Sequence, residues 1–320
     1  MPAMLEPSRP IGVILMSFGT PATVDDVPDY LTRVRGGRPF PPAFVEEFKG
    51  RFRMIGGSPL LKITLAQAKA LQELLNAAAT PGERYSVVVG MRHAPPMIDE
   101  AMAHLAAVDR ITDVVGIIMA PQQTPGVMAG YYAAAEAAKP VLGPQGRLRI
   151  AKAWHTVPVF LDGLSRRVRE ALDRLPAAER AAIPVVMSAH SLPKSVVALE
   201  PAYTRMLHDT AAAVASRVGL PKERWRFSYQ SAGQSTEEWL KPDLKEVLPQ
   251  IAKEGRKSVL IAPIQFLADH LEILYDVDIA ARRDAEAVGL KLHRIEALNT
   301  APELITALAE VVRRERSELR

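Results

Sequence analysis

An apolar run followed at once by a cluster of ionisable side chains stands out in the last quarter of this chain. The run is VLIAPI, residues 259–264, and the cluster is ADHLEILYDVD, residues 268–278, which holds four acids and one histidine. In open α/β sheets, ligand-binding residues follow the carboxyl ends of buried parallel strands. The two segments therefore predict a strand that leads into a functional site.

Predicted strands and helices alternate along almost the whole chain. Apolar runs such as residues 11–18, 114–120 and 183–188 are predicted strands, and amphipathic helices such as residues 61–78 and 269–288 separate them. Alternation at this spacing is typical of parallel sheets that are covered by helices on both faces. We therefore predict an α/β protein.

A faint internal similarity indicates how the chain is divided. IIMAPQQ, residues 117–123, resembles LIAPIQ, residues 260–265. We predict a first α/β half over residues 1–160, a similar second half over residues 161–300, and a final helix over residues 301–320 that packs back on the first half. The alternative is that buried strands are alike only in composition.

Composition and charge narrow the class of protein. Among 320 residues, 48% are hydrophobic and 24% charged, which is the balance of a globular protein. The absence of cysteine excludes disulfides, thiolate zinc sites and a cysteine-held iron–sulfur cluster. The net charge of +4 is dispersed, which argues against a nucleic-acid partner and suits an anionic small molecule. With no apolar run of membrane-span length and no signal peptide, we expect a soluble cytoplasmic protein without stable membrane insertion.

The acids of residues 268–278 form a pattern if the segment is a regular helix. Each residue of an α-helix advances by about 100°, so Asp269, Glu272 and Asp276 would share one face, whereas His270 and Asp278 would point away. A row of carboxylates can pass protons or recruit hydrated cations. Asp269 with Glu272 three residues later also fits a capping box, so a purely structural role stays open.

A second histidine follows another predicted strand. His190 comes directly after PVVMS, residues 184–188, where ligand-binding residues collect in such folds. Neutral imidazole is a base near neutral pH and a good ligand for divalent metals. A histidine that only forms a hydrogen bond in the turn before Pro193 is the alternative. Ser188 and Ser191 lie outside any G-x-S-x-G elbow, which argues against a serine hydrolase.

Two glycine-containing turns lack the features of a nucleotide site. GTP, residues 19–21, and GGSP, residues 56–59, match neither a G-x-G-x-x-G fingerprint nor a Walker loop, so no nucleotide cofactor is expected. Singly, the cations near these turns would be solvated surface residues. As a group, the residues that suit a substrate carboxylate are Arg35, Arg38, Arg51 and Tyr131.

Several sequence blocks resemble those of ferrochelatases, in the order and spacing of that family. They are MSFGTP (16–21), IGGSPL (55–60), SAHSLP (188–193), YQS (229–231) with EWL (238–240), and ADHLE (268–272) with LYD (274–276). With SAHSLP and no cysteine, the chain is most similar to the coproporphyrin ferrochelatases of monoderm bacteria.

The resemblance implies two Rossmann-like halves, each a four-stranded parallel sheet flanked by helices, and insertion of Fe²⁺ into a porphyrin in the cleft between them. Fe²⁺ is then a substrate, and no iron–sulfur cluster or nucleotide is implied. By position, His190 and Glu272 match the family's catalytic pair. The resemblance implies that these two residues and Asp276 bind the metal. Asp269 matches the acidic face of the family's site that also holds Asp276. The positions that match tetrapyrrole contacts are Phe18, Arg35, Arg51, Phe52, Ser58 and Tyr131.

Two positions depart from close relatives. Phe18 stands where a tyrosine often ligates the product iron, and Phe52 stands where some relatives have tyrosine; phenylalanine has no donor atom.

The resemblance implies coproporphyrin III as substrate, in haem biosynthesis. Protoporphyrin IX, a cobalt precursor, or a non-catalytic haem-binding role are the alternatives. We also expect a monomer that makes at most transient contact with neighbouring haem-pathway enzymes.

Overall fold

Two parallel sheets form the frame of the protein. The structure is a computed structural model that describes residues 10–233 and 237–319. The first sheet consists of β1 (Ile11–Ser17), β2 (Tyr85–Met91), β3 (Asp113–Ile118) and β4 (Arg147–Ile150) in the order β2-β1-β3-β4. The second consists of β5 (Val185–His190), β6 (Trp225–Gln230), β7 (Ser258–Pro263) and β8 (Lys291–Arg294) in the order β6-β5-β7-β8. All six strand pairings are parallel, which confirms the predicted fold class.

Helices connect the strands in both halves. Around the first sheet they are α1 (Val27–Val34), α2 (Pro42–Met54), α3 (Leu60–Ala77), α4 (Ile98–Ala107) and α5 (Ala129–Ala138). The rest are α6 (Pro158–Asp173), α7 (Ala177–Ala182), α8 (Lys194–Ala198), α9 (Pro201–Val218), α10 (Leu244–Lys253), α11 (Leu271–Leu274), α12 (Arg282–Ala287) and α13 (Pro302–Ser317), with a π-helix over Asp276–Ala281. Across the described residues, none of the helices combines the length and apolar character that crossing a bilayer requires.

The central strands are buried on both faces because helices cover each sheet from two sides. Every residue of β1, β3 and β7 is buried, as expected for apolar runs in parallel sheets. One hydrophobic cluster contains Val13 of the first sheet and Leu260 of the second. Between the sheets the fully buried rings of Trp154 and Phe160 meet edge to face, with centroids 5.1 Å apart. The halves therefore share a packed core below the cleft.

The two sheets repeat one strand order, and the similar segments of the sequence occupy equivalent places in it. Residues 117–123 run out of β3 and residues 260–265 out of β7, the third strand of each sheet. Helix α13 packs against α6 and α3 and also contacts β3 and β4. Arg316 of this helix donates to the hydroxyl of Tyr85 at 2.6 Å. The division of the chain at residue 160 stays a prediction.

The predicted helix over residues 269–288 was wrong as a single regular element. It is divided into α11, the π-helix and α12. The N–H of Ala280 bonds to the carbonyl of Tyr275, five residues back, which widens the turn. His270 has extended backbone angles (φ −161°, ψ −175°), so the first α-helical residue is Leu271. The short helices α7 and α8 were not predicted.

Candidate active site

The second sheet brings His190 and Glu272 together at its carboxyl edge. His190 is the last residue of β5, and Glu272 lies in α11, which follows β7. The Nε2 atom of His190 is 3.6 Å from Oε1 of Glu272. The other carboxylate oxygen, Oε2, is 3.3 Å from Nε2 of His270. One carboxylate therefore lies between two imidazoles.

The partners of the two imidazoles determine which nitrogens carry hydrogen. Nδ1 of His190 faces the carbonyl oxygen of Ser191, and Nδ1 of His270 faces that of Ala268 at 2.9 Å. A carbonyl oxygen can only accept, so we infer that both Nδ1 atoms are protonated and donate. In the neutral rings both Nε2 atoms then present lone pairs to Glu272. The triad His190–Glu272–His270 therefore has two nitrogen atoms, one Nε2 on each ring, that face the carboxylate and can accept a proton.

Charge within the triad perturbs the pKa values of His190 and Glu272. Burial would lower the pKa of His190, but the negative charge of Glu272 and its hydrogen bond, with the Ser191 carbonyl, raise it above the ordinary histidine value. Burial would raise the pKa of Glu272, but His190 and His270 hold it well below its usual range. Glu272 is thus a carboxylate over the whole neutral range, and His190 gains affinity for a proton.

Two glutamines hold the backbone of the triad in place. Gln265 accepts the N–H of His190 at 2.9 Å and donates to the hydroxyl of buried Tyr203 at 2.6 Å. Gln230, opposite His190 in the pairing of β5 with β6, donates to the carbonyl of Glu272 at 3.2 Å. The sequence interpretation assigned neither glutamine a role, although Gln230 lies in the YQS block and Gln265 in the internal similarity. The side-chain contacts could not be read from those motifs.

Tyrosines of the first half form the facing wall. Burial raises the pKa of both Tyr30 and Tyr131, and the negative charge of Glu272 raises each further, although Arg92 opposes the shift at Tyr131. Both phenols therefore stay protonated at neutral pH. The guanidinium of Arg92 lies over the ring of Tyr131, 5.6 Å from its centroid. Phe18 is 41% exposed, so part of its ring is open to solvent.

The ring of Phe18 rests on His93, with centroids 4.6 Å apart. Burial, together with the charge of Arg92, lowers the pKa of His93 to about 4, and the carbonyl of His93 accepts from Nε of Arg33 at 2.8 Å. His93 is therefore a neutral support for Phe18 at neutral pH.

Arg51 and Asp276 meet where the first half contacts the triad segment. Arg51, in α2, lies over the ring of Tyr275 with its guanidinium carbon 5.2 Å from the centroid. Its Nε atom is buried and finds no hydrogen-bond partner among the described residues. Burial raises the pKa of Asp276, and the nearby Glu272 raises it further, whereas Arg51 opposes the shift. Nη2 of Arg51 pairs with Oε1 of Glu47 at 2.5 Å, so the cation already has one counter-charge and its Nε is the group left open near Asp276.

The helical-phase interpretation of this segment was wrong for two residues. Asp269 precedes the helix, and its N–H bonds to Oδ1 of Asn299 at 2.9 Å. The cap position is occupied by His270, whose side chain makes no capping bond, so the Asp269–Glu272 capping box is absent. His270, which the 100° step placed away from Glu272, contacts it directly. The physical reason is that the step applies only within a regular α-helix.

Other predicted contact residues have local partners. Arg35 is exposed, donates to the carbonyl of Pro39 at 2.8 Å and lies over Phe40. Phe52 is only 2% exposed and packs below Gly57. The hydroxyl of Ser58 accepts the N–H of Leu60 at 3.4 Å at the start of α3. Their contact with a tetrapyrrole stays a prediction.

A preformed metal centre is absent from the described residues, since no three His, Asp or Glu side chains there are grouped to hold an ion. His190, Glu272 and Asp276 do not make a closed ligand set on their own.

Comparison with known proteins shows which family the chain resembles. The family model described as "Ferrochelatase" matches residues 10–316. A ferrochelatase of Deinococcus radiodurans is 38% identical over 312 residues, 97% of this chain and 98% of the relative. A coproporphyrin III ferrochelatase of Geobacillus kaustophilus is 38% identical over 303 residues, 94% of each chain.

Solved structures support the fold. SirB from Bacillus subtilis with Fe³⁺ has a TM-score of 0.58 at 11% identity and covers 96% of this chain and 97% of that one. CbiX, the terminal enzyme for biosynthesis of siroheme in denitrifying bacteria, has a TM-score of 0.53 at 14% identity, with 95% and 98% covered. At such identities the likeness concerns the fold alone. With a whole-length family match and relatives at 38% identity, the chain belongs to the ferrochelatase family, whose members are enzymes that insert a metal into a porphyrin.

Proposed function

We propose that the protein inserts Fe²⁺ into coproporphyrin III, with the triad His190–Glu272–His270 as the site of proton removal. The observation that carries the proposal is the single carboxylate between two imidazoles whose Nδ1 atoms are both committed to carbonyls. A porphyrin must lose two inner N–H protons before a divalent metal can occupy its centre. The triad offers two proton sites, which matches that requirement.

Each member of the triad has its own part in the reaction. Nε2 of His190 accepts the first proton, and the resulting imidazolium is neutralised by Glu272, 3.6 Å away. Glu272 passes the second proton to Nε2 of His270, at 3.3 Å. Before it is protonated, the imidazole of His190 also suits Fe²⁺ as a ligand. His190 thus serves as base and as metal ligand on the same face of the macrocycle.

The choice of coproporphyrin rests on relatives and on charge. Relatives at 38% identity include proteins named coproporphyrin III ferrochelatase, and others are named simply ferrochelatase. Coproporphyrin III carries four propionates, whereas protoporphyrin IX carries two propionates and two vinyl groups. Arg51, with a buried Nε that has no partner among the described residues, and Arg92 are cations on the first-half side of the cleft. Cations there favour the more anionic porphyrin.

The kcat/KM for coproporphyrin III is expected to exceed that for protoporphyrin IX by about tenfold or more. A charge-assisted hydrogen bond contributes about 1.5–3 kcal/mol, and 1.4 kcal/mol corresponds to about tenfold. Anaerobic assays with Fe²⁺ and each porphyrin, followed by absorbance, measure this ratio. A third assay, with Co²⁺ and a cobalt-chelatase substrate, tests the alternative that the protein is a cobalt chelatase.

Arg51→Met should lower the ratio, whereas Arg53→Met on the exposed side of α2 is the matched control and should not change it. Preference for protoporphyrin IX would contradict the substrate assignment. A protein that binds metalated porphyrin tightly but inserts no metal would instead be the haem-binding alternative.

Activity is expected to depend on pH through His190. Only the neutral imidazole can accept a proton, so kcat/KM should fall as the pH drops below the pKa of His190. Because the charge of Glu272 overcomes burial and raises this pKa, the fall should begin above the ordinary histidine value of about 6.5. In Glu272→Gln the pKa should move down, since burial remains and the charge is lost. An NMR titration of His190 measures both values, and an upward shift in the variant would contradict the assignment.

A further inference from the structure

The segment that carries Glu272 has little regular structure of its own. Helix α11 has four residues, Leu271–Leu274, and the next six, Asp276–Ala281, form a π-helix. So short a helix is not stable in isolation, and π-turns are rare. The distance between Glu272 and His190 must therefore be maintained by contacts from outside the segment.

One arginine of the neighbouring strand contacts both ends of this segment. Arg294 is the last residue of β8. Its Nε and Nη2 donate to the two carboxylate oxygens of Asp278, each at 2.8 Å, and its Nη1 is 3.3 Å from Oδ1 of Asp269. The same Nη1 donates to the carbonyl of Ile295 at 2.8 Å. Arg294 is only 14% exposed, so these interactions are poorly screened by solvent.

The amino-terminal end of the segment has a second anchor. Asn299 donates from Nδ2 to Oδ2 of Asp269 at 2.9 Å and accepts the N–H of Asp269 on Oδ1 at 2.9 Å. The carboxylate of Asp269 thus has one oxygen directed to Asn299 and the other to Arg294. Oδ2 is hydrogen-bonded to Asn299, whereas Oδ1 makes no hydrogen bond among the described residues and has only the ion-pair contact with Arg294. Through these two contacts Asp269 connects the start of the segment to the strand that holds its end.

We propose that Arg294 is a positioning residue for metal insertion, which ties both ends of residues 269–278 to β8 and thereby sets the distance from Glu272 to His190. The proposal rests on the proposed role of the His190–Glu272 pair. Arg294 touches neither residue. Without its positive charge, the carboxylates of Asp269 and Asp278 would both lose their counter-charge, and the segment between them would gain freedom to move.

Arg294→Met is expected to lower kcat by roughly tenfold to a hundredfold, because a displacement of about 1 Å in a catalytic group has that effect. The KM for porphyrin should change little, since its contacts lie mainly on the first half. Arg294→Lys keeps a cation but cannot make the two-point contact with Asp278, so its kcat should fall between those of the parent and Arg294→Met. It also serves as the test protein if Arg294→Met does not fold.

The matched control is Arg166→Met. Arg166 makes a comparable two-point contact with Glu303 at 2.6 and 2.9 Å, between α6 and α13 and away from the triad. This variant should keep kcat, and its loss of thermal stability should be no larger than that of Arg294→Met, because Arg166 is 35% exposed and Arg294 only 14%. Hydrogen–deuterium exchange should become faster over residues 269–278 in Arg294→Met and not in Arg166→Met.

Two results would overturn the proposal: a parental kcat in folded Arg294→Met, or an equal loss of kcat in Arg166→Met. Failure of the proposed function looks different. If the proposed function is wrong, His190→Ala and Glu272→Gln keep their activity. If those two variants lose activity and Arg294→Met has the parental kcat, only the role of Arg294 is refuted.

Discussion

Glu272→Gln is expected to insert Fe²⁺ with a kcat about 10²–10⁴-fold below that of the parent chain. The amide keeps the shape of the carboxylate but lacks the charge that lies 3.6 Å from Nε2 of His190 and 3.3 Å from Nε2 of His270. The imidazolium formed by the first proton transfer would lose its counter-charge, and the second proton would lose its route to His270. Anaerobic single-turnover absorbance measures the effect.

A similar pair elsewhere provides the control for Glu272→Gln. Glu179 of α7 lies 3.1 Å from Nε2 of His293 in β8, so Glu179→Gln removes the same type of contact from a position outside the cleft. We expect that variant to keep its kcat. Porphyrin affinity, measured by fluorescence quenching, should be retained in both. A Glu272→Gln kcat within about tenfold of the parent value would be too small a loss for a residue of the proton path.

His190→Ala is expected to have the largest effect, a loss in kcat of about 10⁴-fold, at the upper end of the range for a general base. The change removes the first proton acceptor and the imidazole that suits Fe²⁺ at the same position. Gln265 should still hold the backbone there, because its contact is to the N–H of residue 190. Iron insertion under anaerobic conditions, with porphyrin affinity recorded in parallel, separates loss of chemistry from loss of binding.

Added imidazole should restore part of the activity of His190→Ala, since the side chain of His190 is 26% exposed and the space that it vacates can be reached from the cleft. His293→Ala, which disrupts the Glu179 pair, should neither lose activity nor respond to imidazole. Parental activity in His190→Ala would remove the basis of the proposed function.

The strands could be predicted because burial on both faces requires apolar residues in unbroken runs. The strand predicted from the apolar run at residues 259–264 corresponds to β7, which covers Ser258–Pro263. The prediction over residues 183–188 differs from β5, which covers Val185–His190, because pairing of His190 with Gln230 extends the ladder. His190 is therefore the end of a strand rather than the first residue of a turn, and its backbone direction is set by the sheet.

The contacts of the triad could not be predicted in the same way. A periodic step assumes one type of helix, and residues 268–278 contain an extended residue, an α-turn and the start of a π-helix. His270 therefore faces Glu272 although its sequence position favoured the opposite side. The interaction of Arg294 with Asp269 and Asp278 crosses from one strand to a loop and a helix, and local sequence contains no signal for it.

Local sequence was sufficient for the fold class and for the two blocks around His190 and Glu272, because apolar periodicity and strand ends depend on neighbouring residues. The same sequence motifs indicated the family. Tertiary structure decided that one carboxylate lies between two imidazoles, that Arg51 of the first half lies over the Tyr275 ring, and that an apparent helix is divided. Those facts depend on residues far apart in the chain, and the packing of two sheets brings them within a few ångströms of each other.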